Sequence, residues 1–169
     1  MAQREDDKYR ALAALLLVVI GLGVWGYTSW ATRARTVALE RAAGPQQFAA
    51  AFFSELGADA TGSVDADGTL TISYMLNPYN SNSVSSLIED RFLEHAYELL
   101  PIAFAKWPSV STVRLEARWT HVTAKGHDLT LPRHLIVFDR ATARDMNWPK
   151  VERYSLPQLA KRYWRLPSL

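Results

Sequence analysis

The stretch VSTVRLEARWTHV, residues 110–122, alternates apolar and polar residues along most of its length. Val113, Leu115, Ala117 and Trp119 fall on one side of an extended chain, and the polar residues between them fall on the other. This period of two is typical of a strand with one face in the core and one face in water. The segment therefore predicts the principal strand of a sheet.

A partner strand is predicted over residues 129–138. Lys125-Gly126 can turn the chain, and the segment ends in the apolar run LIVF. Pro132 lacks an amide hydrogen, so it places the first part of this strand at a sheet edge. Together the two segments predict an antiparallel hairpin.

A long helix is predicted before the hairpin. Ser86 followed by Glu89 has the spacing of a capping box, and Trp107-Pro108 ends the segment. Pro101 is expected to kink the helix or to split it. One apolar stripe runs along it, made of Ile88, Phe92, Ala96, Leu99 and Ala103.

Further towards the N-terminus, Asp67-Gly68 separates two strand-like segments and predicts a tight hairpin turn. A helix is predicted to begin at Pro45 and to end at Gly57. Beyond the principal hairpin we expect a short helix over 140–146, and then a terminal helix capped by Ser155 that runs through LPQLAKRYWRL. In that terminal helix, Leu156, Leu159 and Tyr163 are expected to face the domain. The order helix, hairpin, helix, hairpin, helix predicts an α+β domain over 45–169, with a small antiparallel sheet and helices packed on one face.

The N-terminal part of the chain belongs to another class of structure. No charged residue occurs from Ala11 to Thr32, and as a helix the segment 11–31 would rise about 31 Å, close to the hydrocarbon thickness of a bilayer. We therefore expect a short tail over 1–10, a transmembrane helix over 11–31 and a helical stalk over 32–44. Residues that favour the membrane interface flank the span: Tyr9, Arg10, Trp25, Tyr27, Trp30, Arg33 and Arg35.

The alternative for this segment is a cleaved secretory signal, since Arg4, Lys8 and Arg10 form a basic start and Ser29-Trp30-Ala31 offers small residues. The length of the run and its bulky aromatic residues favour an uncleaved signal anchor. Basic residues nearly balance across the span, so orientation depends on the short N-terminal tail, which usually stays in the cytoplasm. We expect a single-pass protein of the bacterial inner (cytoplasmic) membrane with an extracytoplasmic domain.

The composition excludes several chemistries. The chain of 169 residues has no cysteine, which removes disulfide scaffolds and thiol catalysis. It contains no nucleophile elbow, phosphate-binding loop or EF-hand. His121, His127, Asp128 and His134 cluster around the second hairpin, but their spacing matches no metal-site pattern. We expect neither an enzyme nor a cofactor or metal site.

Charge is divided along the chain. Residues 46–105 hold one base and eight acids, whereas residues 106–169 hold twelve bases and five acids. Two interpretations stay open: the halves neutralise each other within the domain, or the basic segment is a contact surface rich in the arginine and aromatic residues that interfaces favour. That candidate interaction surface comprises Arg140, Arg144, Trp148, Lys150, Arg153, Lys161, Arg162, Trp164 and Arg165.

The sequence thus predicts a membrane-anchored, non-catalytic accessory or assembly subunit of a larger membrane complex. Its expected partners are the membrane and other protein subunits, with anionic lipid headgroups as a further contact; nucleic acid is not an expected partner. The alternatives are a bitopic component of an envelope secretion or DNA-transfer machine, and a ligand-binding sensor domain.

Overall fold

A computed structural model of the chain describes residues 34–54, 59–76, 85–122 and 125–166. The chain divides into two compact units between Arg41 and Ala42. The first unit contributes helix α1, described over residues 34–41. The second unit carries the α+β domain and is described below by itself.

The second unit contains four helices, five strands and two short 3-10 turns among its described residues. In chain order they are α2 (Pro45–Phe53), β1 (Ala60–Val64), β2 (Thr69–Met75), α3 (Ser85–Lys106), β3 (Thr112–Val122), β4 (Asp128–Asp139), α4 (Arg140–Asp145), 3-10 turns at Trp148–Lys150 and Arg153–Ser155, α5 (Leu156–Leu159) and β5 (Arg162–Arg165). The predicted α+β class is confirmed.

The strands form one sheet in the order β1-β2-β3-β4-β5. Three neighbouring pairs are antiparallel, but β2 and β3 pair in parallel, so the sheet is mixed and the prediction of an antiparallel sheet is wrong at this pair. The reason is α3, whose 22 residues connect the two strands. A helix of that length carries the chain back to the starting end of the sheet, and the next strand then runs in the same direction.

Both predicted hairpins are present. Gly68 has a φ of +80°, which a residue with a side chain rarely adopts, and Asp67 Oδ1 accepts a hydrogen bond from the Thr69 amide at 2.9 Å. In the second hairpin, the register of β3 with β4 shifts between Ala117 and Arg118. Only residues 134–137 of β4 pair with β5, so the part of β4 that contains Pro132 forms a sheet edge, as predicted.

One face of the sheet carries the core, and we call it the helix face. Tyr74, Ala117 and His134 lie side by side on it in register. Phe53 of α2 stacks on Tyr74 with ring centroids 4.0 Å apart, and Phe92 of α3 stacks on His134 at 5.1 Å. The predicted apolar stripe of α3 is buried against this face, as are alternate residues of the three central strands: Leu70, Ile72, Val113, Leu115, Ile136 and Phe138.

Helix α2 docks on the edge strand through a glutamine. The Gln46 carboxamide accepts a hydrogen bond from the Gly62 amide at 3.0 Å and donates one to the Ala60 carbonyl at 3.1 Å. A Cβ on Gly62 would lie 2.2 Å from the Pro45 carbonyl oxygen, so this close approach requires glycine. The side chain of Gln46 thus occupies backbone groups that an edge strand would otherwise present to another chain.

Helix α3 is continuous through Pro101 and ends before Trp107, so the expected split is not observed. The side chain of Ser86, the predicted cap, lies outside the described residues, as does Gly57, the predicted end of α2. Helix α2 instead ends at Phe53.

The predicted terminal helix is wrong in its second half. Only Leu156–Leu159 is helical; Ala160 is extended and Arg162–Arg165 forms β5 on the edge of β4. Leu156 is buried, but Leu159 is 40% exposed. The sequence RYWR has good strand formers at its centre, and an unpaired edge of β4 offers them hydrogen bonds that a solvated helix would lack.

The predicted transmembrane segment, residues 11–31, lies outside the described residues. Among the helices that the structure describes, none has the length and hydrophobicity to cross a membrane.

Candidate interaction surface

Two of the nine residues of the predicted interaction surface are bound within the fold. The Arg140 guanidinium donates to the carbonyl oxygens of Phe104, Trp107 and Val110, at the end of α3 and just beyond it. These contacts hold carbonyl groups that a helix end leaves without intrahelical partners. Trp148 donates from its indole nitrogen to the Ala143 carbonyl at 3.1 Å and is half-buried.

Two more of the nine pair with acidic residues of α3. Arg153 lies 3.1 Å from Asp90 and 3.9 Å from Glu94, and Arg165 lies 2.5 Å from Glu89. Here the interpretation that the two halves of the chain neutralise each other is confirmed. Residues of α3 and of the C-terminal segment therefore form a polar seam along the helix.

Two tyrosines complete this seam. Tyr163 donates to Glu89 at 2.8 Å, and burial together with this hydrogen bond raises the pKa of the Tyr163 hydroxyl. Tyr154 donates to Asp90 and accepts from Arg153, whose pKa is raised by that contact and by the nearby carboxylates. The seam fastens β5 and the 3-10 turn at Arg153–Ser155 to α3.

The other five residues of the predicted surface are exposed. Arg144 lies 3.5 Å from the adjacent Asp145, and both side chains are largely in solvent. Lys150, Lys161, Arg162 and Trp164 are also exposed, Trp164 by 38%. The indole of Trp164 thus offers a large aromatic surface to solvent.

Strand β5 sends its side chains to opposite sides of the sheet. Tyr163 and Arg165 pair in register with Ile136 and His134 and therefore lie on the helix face. Arg162 and Trp164 pair with Val137 and Leu135 and lie on the other face, which we call the arginine face. The arginine face includes Thr61, Ser63, Thr71, Ser73, Arg114, Glu116, Arg118, Leu135, Val137, Asp139, Arg162 and Trp164.

Two rows of side chains cross the arginine face from β1 to β5. One row in register is Ser63, Thr71, Arg114, Val137 and Arg162, and the next is Thr61, Ser73, Glu116, Leu135 and Trp164. Arg114 and Arg162 are two strands apart, a backbone separation of about 10 Å; Arg114 and Arg118 are four residues apart on β3, about 13 Å.

Charge on this face is unbalanced. Three arginines oppose two carboxylates in this register: Glu116, which lies 3.0 Å from Arg114, and Asp139, which accepts a hydrogen bond from the Thr142 amide. Within the described part of the chain, the Nε atoms of Arg114 and Arg118 and the hydroxyl of Ser73 are shielded from solvent and have no hydrogen-bond partner. Because these atoms are shielded, any contact with a partner would fall to the exposed ends of the arginines; the Arg114 side chain is 44% exposed.

Sequence reasoning missed Arg114 and Arg118 as members of the surface. The alternation of β3 placed them on the polar side of that strand, but it could not indicate which C-terminal residues would join them. The missing information was the register of β5 on β4.

A groove of about 440 Å³ lies beside the polar seam. It is lined by Leu87, Glu89, Asp90, Leu93, Tyr154 and Pro157. Both of its carboxylates already bind arginine or tyrosine side chains.

No group of three or more His, Asp or Glu side chains within the described ranges could hold a metal ion. The side chain of His121 lies outside those ranges, and His134 is buried. Burial, and secondarily the charge of Arg133, lowers the pKa of His134 to about 4. Arg133 itself lies over the Trp119 ring, 5.3 Å from its centre.

Of the residues predicted to lie at the membrane interface, Arg35 belongs to α1, and the other six lie outside the described ranges. No protein-family model matches the chain, and neither a curated protein nor a solved structure is significantly similar to it.

Proposed function

We propose that the chain is a non-catalytic, membrane-anchored accessory subunit of a larger membrane complex and that it docks through its α+β domain. In this proposal residues 11–31 are the anchor, and the domain lies on the extracytoplasmic side of the inner membrane. The uncharged segment from Ala11 to Thr32 supports the anchor.

One observation carries the docking role. Among the basic residues of the C-terminal half, Arg153 and Arg165 pair with carboxylates of α3, whereas Arg114, Arg118 and Arg162 lie on the arginine face, where Glu116 pairs with Arg114. The first two join the C-terminal segment to α3; the other three lie on the side of the sheet opposite the core. Exposed arginine and tryptophan side chains contribute strongly to protein interfaces, which favours a protein partner.

The experiment is purification of the full chain from its native membrane in a mild detergent, followed by mass spectrometry. We expect the chain to resist alkaline extraction, to keep residues 1–31 and to co-purify with other membrane proteins in fixed ratio. Release by carbonate, or a mature N-terminus near Thr32, would contradict the anchor. Isolation as a lone protein from membranes crosslinked before solubilisation would contradict the subunit role.

A further inference from the structure

We infer that the arginine face binds an extended, acidic segment of a partner protein, with carboxylates spaced four residues apart. The inference rests on the proposed function and specifies the site and the chemistry of the partner. It starts from the arginines of this face, of which Arg162 is exposed and Arg114 has a side chain that is 44% exposed.

The spacing of the arginines selects the shape of the occupant. The backbone positions of Arg114, Arg118 and Arg162 are about 10 Å or more apart, so an occupant that extends along the sheet can meet each arginine with a separate carboxylate. An extended chain rises about 3.3 Å per residue, so carboxylates at positions i and i+4 lie about 13 Å apart. That distance equals the separation of Arg114 and Arg118 on β3.

The cations of this face are arginines, and their chemistry favours carboxylates as the groups they bind. Arginine presents a planar fork of donors that binds a carboxylate through two parallel hydrogen bonds. Trp164 lies in the row beside Arg162 and provides an exposed aromatic surface for an apolar side chain of the same segment.

Glu116 argues against a lipid surface as the occupant. It lies between Arg114 and Arg118 on β3, so the charges alternate along the strand as plus, minus, plus. A layer of anionic headgroups would press negative charge against Glu116, which costs free energy. A protein segment can place a neutral or basic residue opposite Glu116 and acidic residues on either side.

Site-specific photocrosslinking of the full chain in its native membrane tests the inference. A benzophenone amino acid replaces Trp164 on the arginine face or, in a matched aromatic position beside α3, Tyr154. Crosslinked peptides are mapped by mass spectrometry. We expect position 164 to label a protein segment with two carboxylates four residues apart, and position 154 not to label that segment.

Charge variants make the test specific. Arg118→Glu with Arg162→Glu should reduce crosslinking from position 164 at least fivefold. Arg144→Glu with Lys150→Glu makes the same change in net charge at exposed positions outside the arginine face and should leave the yield unchanged. If both variants lost the same fraction of the crosslinking yield, the effect would come from net charge alone, and the inference would be overturned.

The remaining outcomes separate the inference from the proposed function. Labelling of lipid alone, of a segment without paired carboxylates, or of a second copy of this chain would overturn the inference. If position 164 labels no protein while the chain still co-purifies with partners in fixed ratio, the inference fails and the proposed function stands. If nothing co-purifies, the proposed function fails, and the inference fails with it.

Discussion

Arg162 and Arg165 lie three residues apart on β5 and point to opposite faces of the sheet. Arg165 donates to the Glu89 carboxylate on α3, whereas Arg162 pairs in register with Val137 on the arginine face. The same short strand thus carries one cation that stabilises the domain and one that is free of α3.

This division predicts different effects for the same substitution. Arg165→Glu would set two carboxylates against each other and should lower the free energy of unfolding by about 1 kcal/mol, since the Arg165 side chain is 61% exposed and solvent screens the pair. Arg162→Glu should change it by less than about 0.5 kcal/mol. Urea denaturation measures both, and equal losses would refute the assignment of the two side chains to different faces.

Residues 42–169 should fold without the N-terminal unit. They form a separate compact unit with a core of buried side chains from both α2 and α3, and their number is sufficient for a stable single domain. A single cooperative thermal transition, seen by far- and near-ultraviolet circular dichroism, is the expected result. A protein that aggregates or melts without a transition would show that the domain depends on its anchor or on partners.

Gly62→Ala should separate α2 from the edge strand. Its methyl group would overlap the Pro45 carbonyl oxygen, and backbone atoms cannot move aside as a flexible side chain can. We expect a loss of about 2 kcal/mol or more in unfolding free energy and faster hydrogen exchange in α2. Gly44→Ala is the control, because nothing lies within 4 Å of an added Cβ there; it should cost at most about 1 kcal/mol, the effect of a poorer cap.

Arg140→Met should cost about 3 kcal/mol, because three carbonyl oxygens near the end of α3 would lose a charged donor. Arg140→Lys keeps the charge but cannot reach three acceptors with one ammonium group, so it should recover only part of the loss. Chemical denaturation of the two variants side by side provides the measurement. If Arg140→Met kept wild-type stability, these hydrogen bonds would contribute nothing to the fold, and Arg140 would count among the exposed residues of the predicted interaction surface.

His134 predicts a dependence of stability on pH. Burial lowers its pKa to about 4 in the folded chain, whereas an unfolded histidine titrates near 6.5. Between these values the unfolded state binds the proton and the folded state does not, so stability is complete above about pH 6.5 and falls as the pH drops towards 4. Over this whole pH range, the difference in the pKa of His134 lowers the free energy of unfolding by about 3 kcal/mol.

His134→Gln should therefore flatten the stability profile between pH 6.5 and 4. The unfolding free energy at half-unit steps of pH is the required measurement. An unchanged slope in His134→Gln would show that other groups produce the acid sensitivity.

Prediction from sequence succeeded wherever the signal was a local period. The alternation in β2 and β3, the stripe of α3 and the turn at Gly68 all follow from geometry within a few residues, and the structure confirms each. It failed for the segment 162–165, which was assigned to a helix and forms a strand. There the deciding partner, the free edge of β4, lies more than twenty residues away along the chain.

The candidate surface shows the same limit. The sequence by itself determined that basic residues concentrate after residue 106, that β3 presents a polar side, and that acids concentrate in the other half of the domain. Only the tertiary structure decided which cations those acids neutralise, because α3 lies against Tyr163 and Arg165 and not against Arg162. Side-chain period is a property of the local backbone, but ion pairing depends on distances that arise when strands join in register.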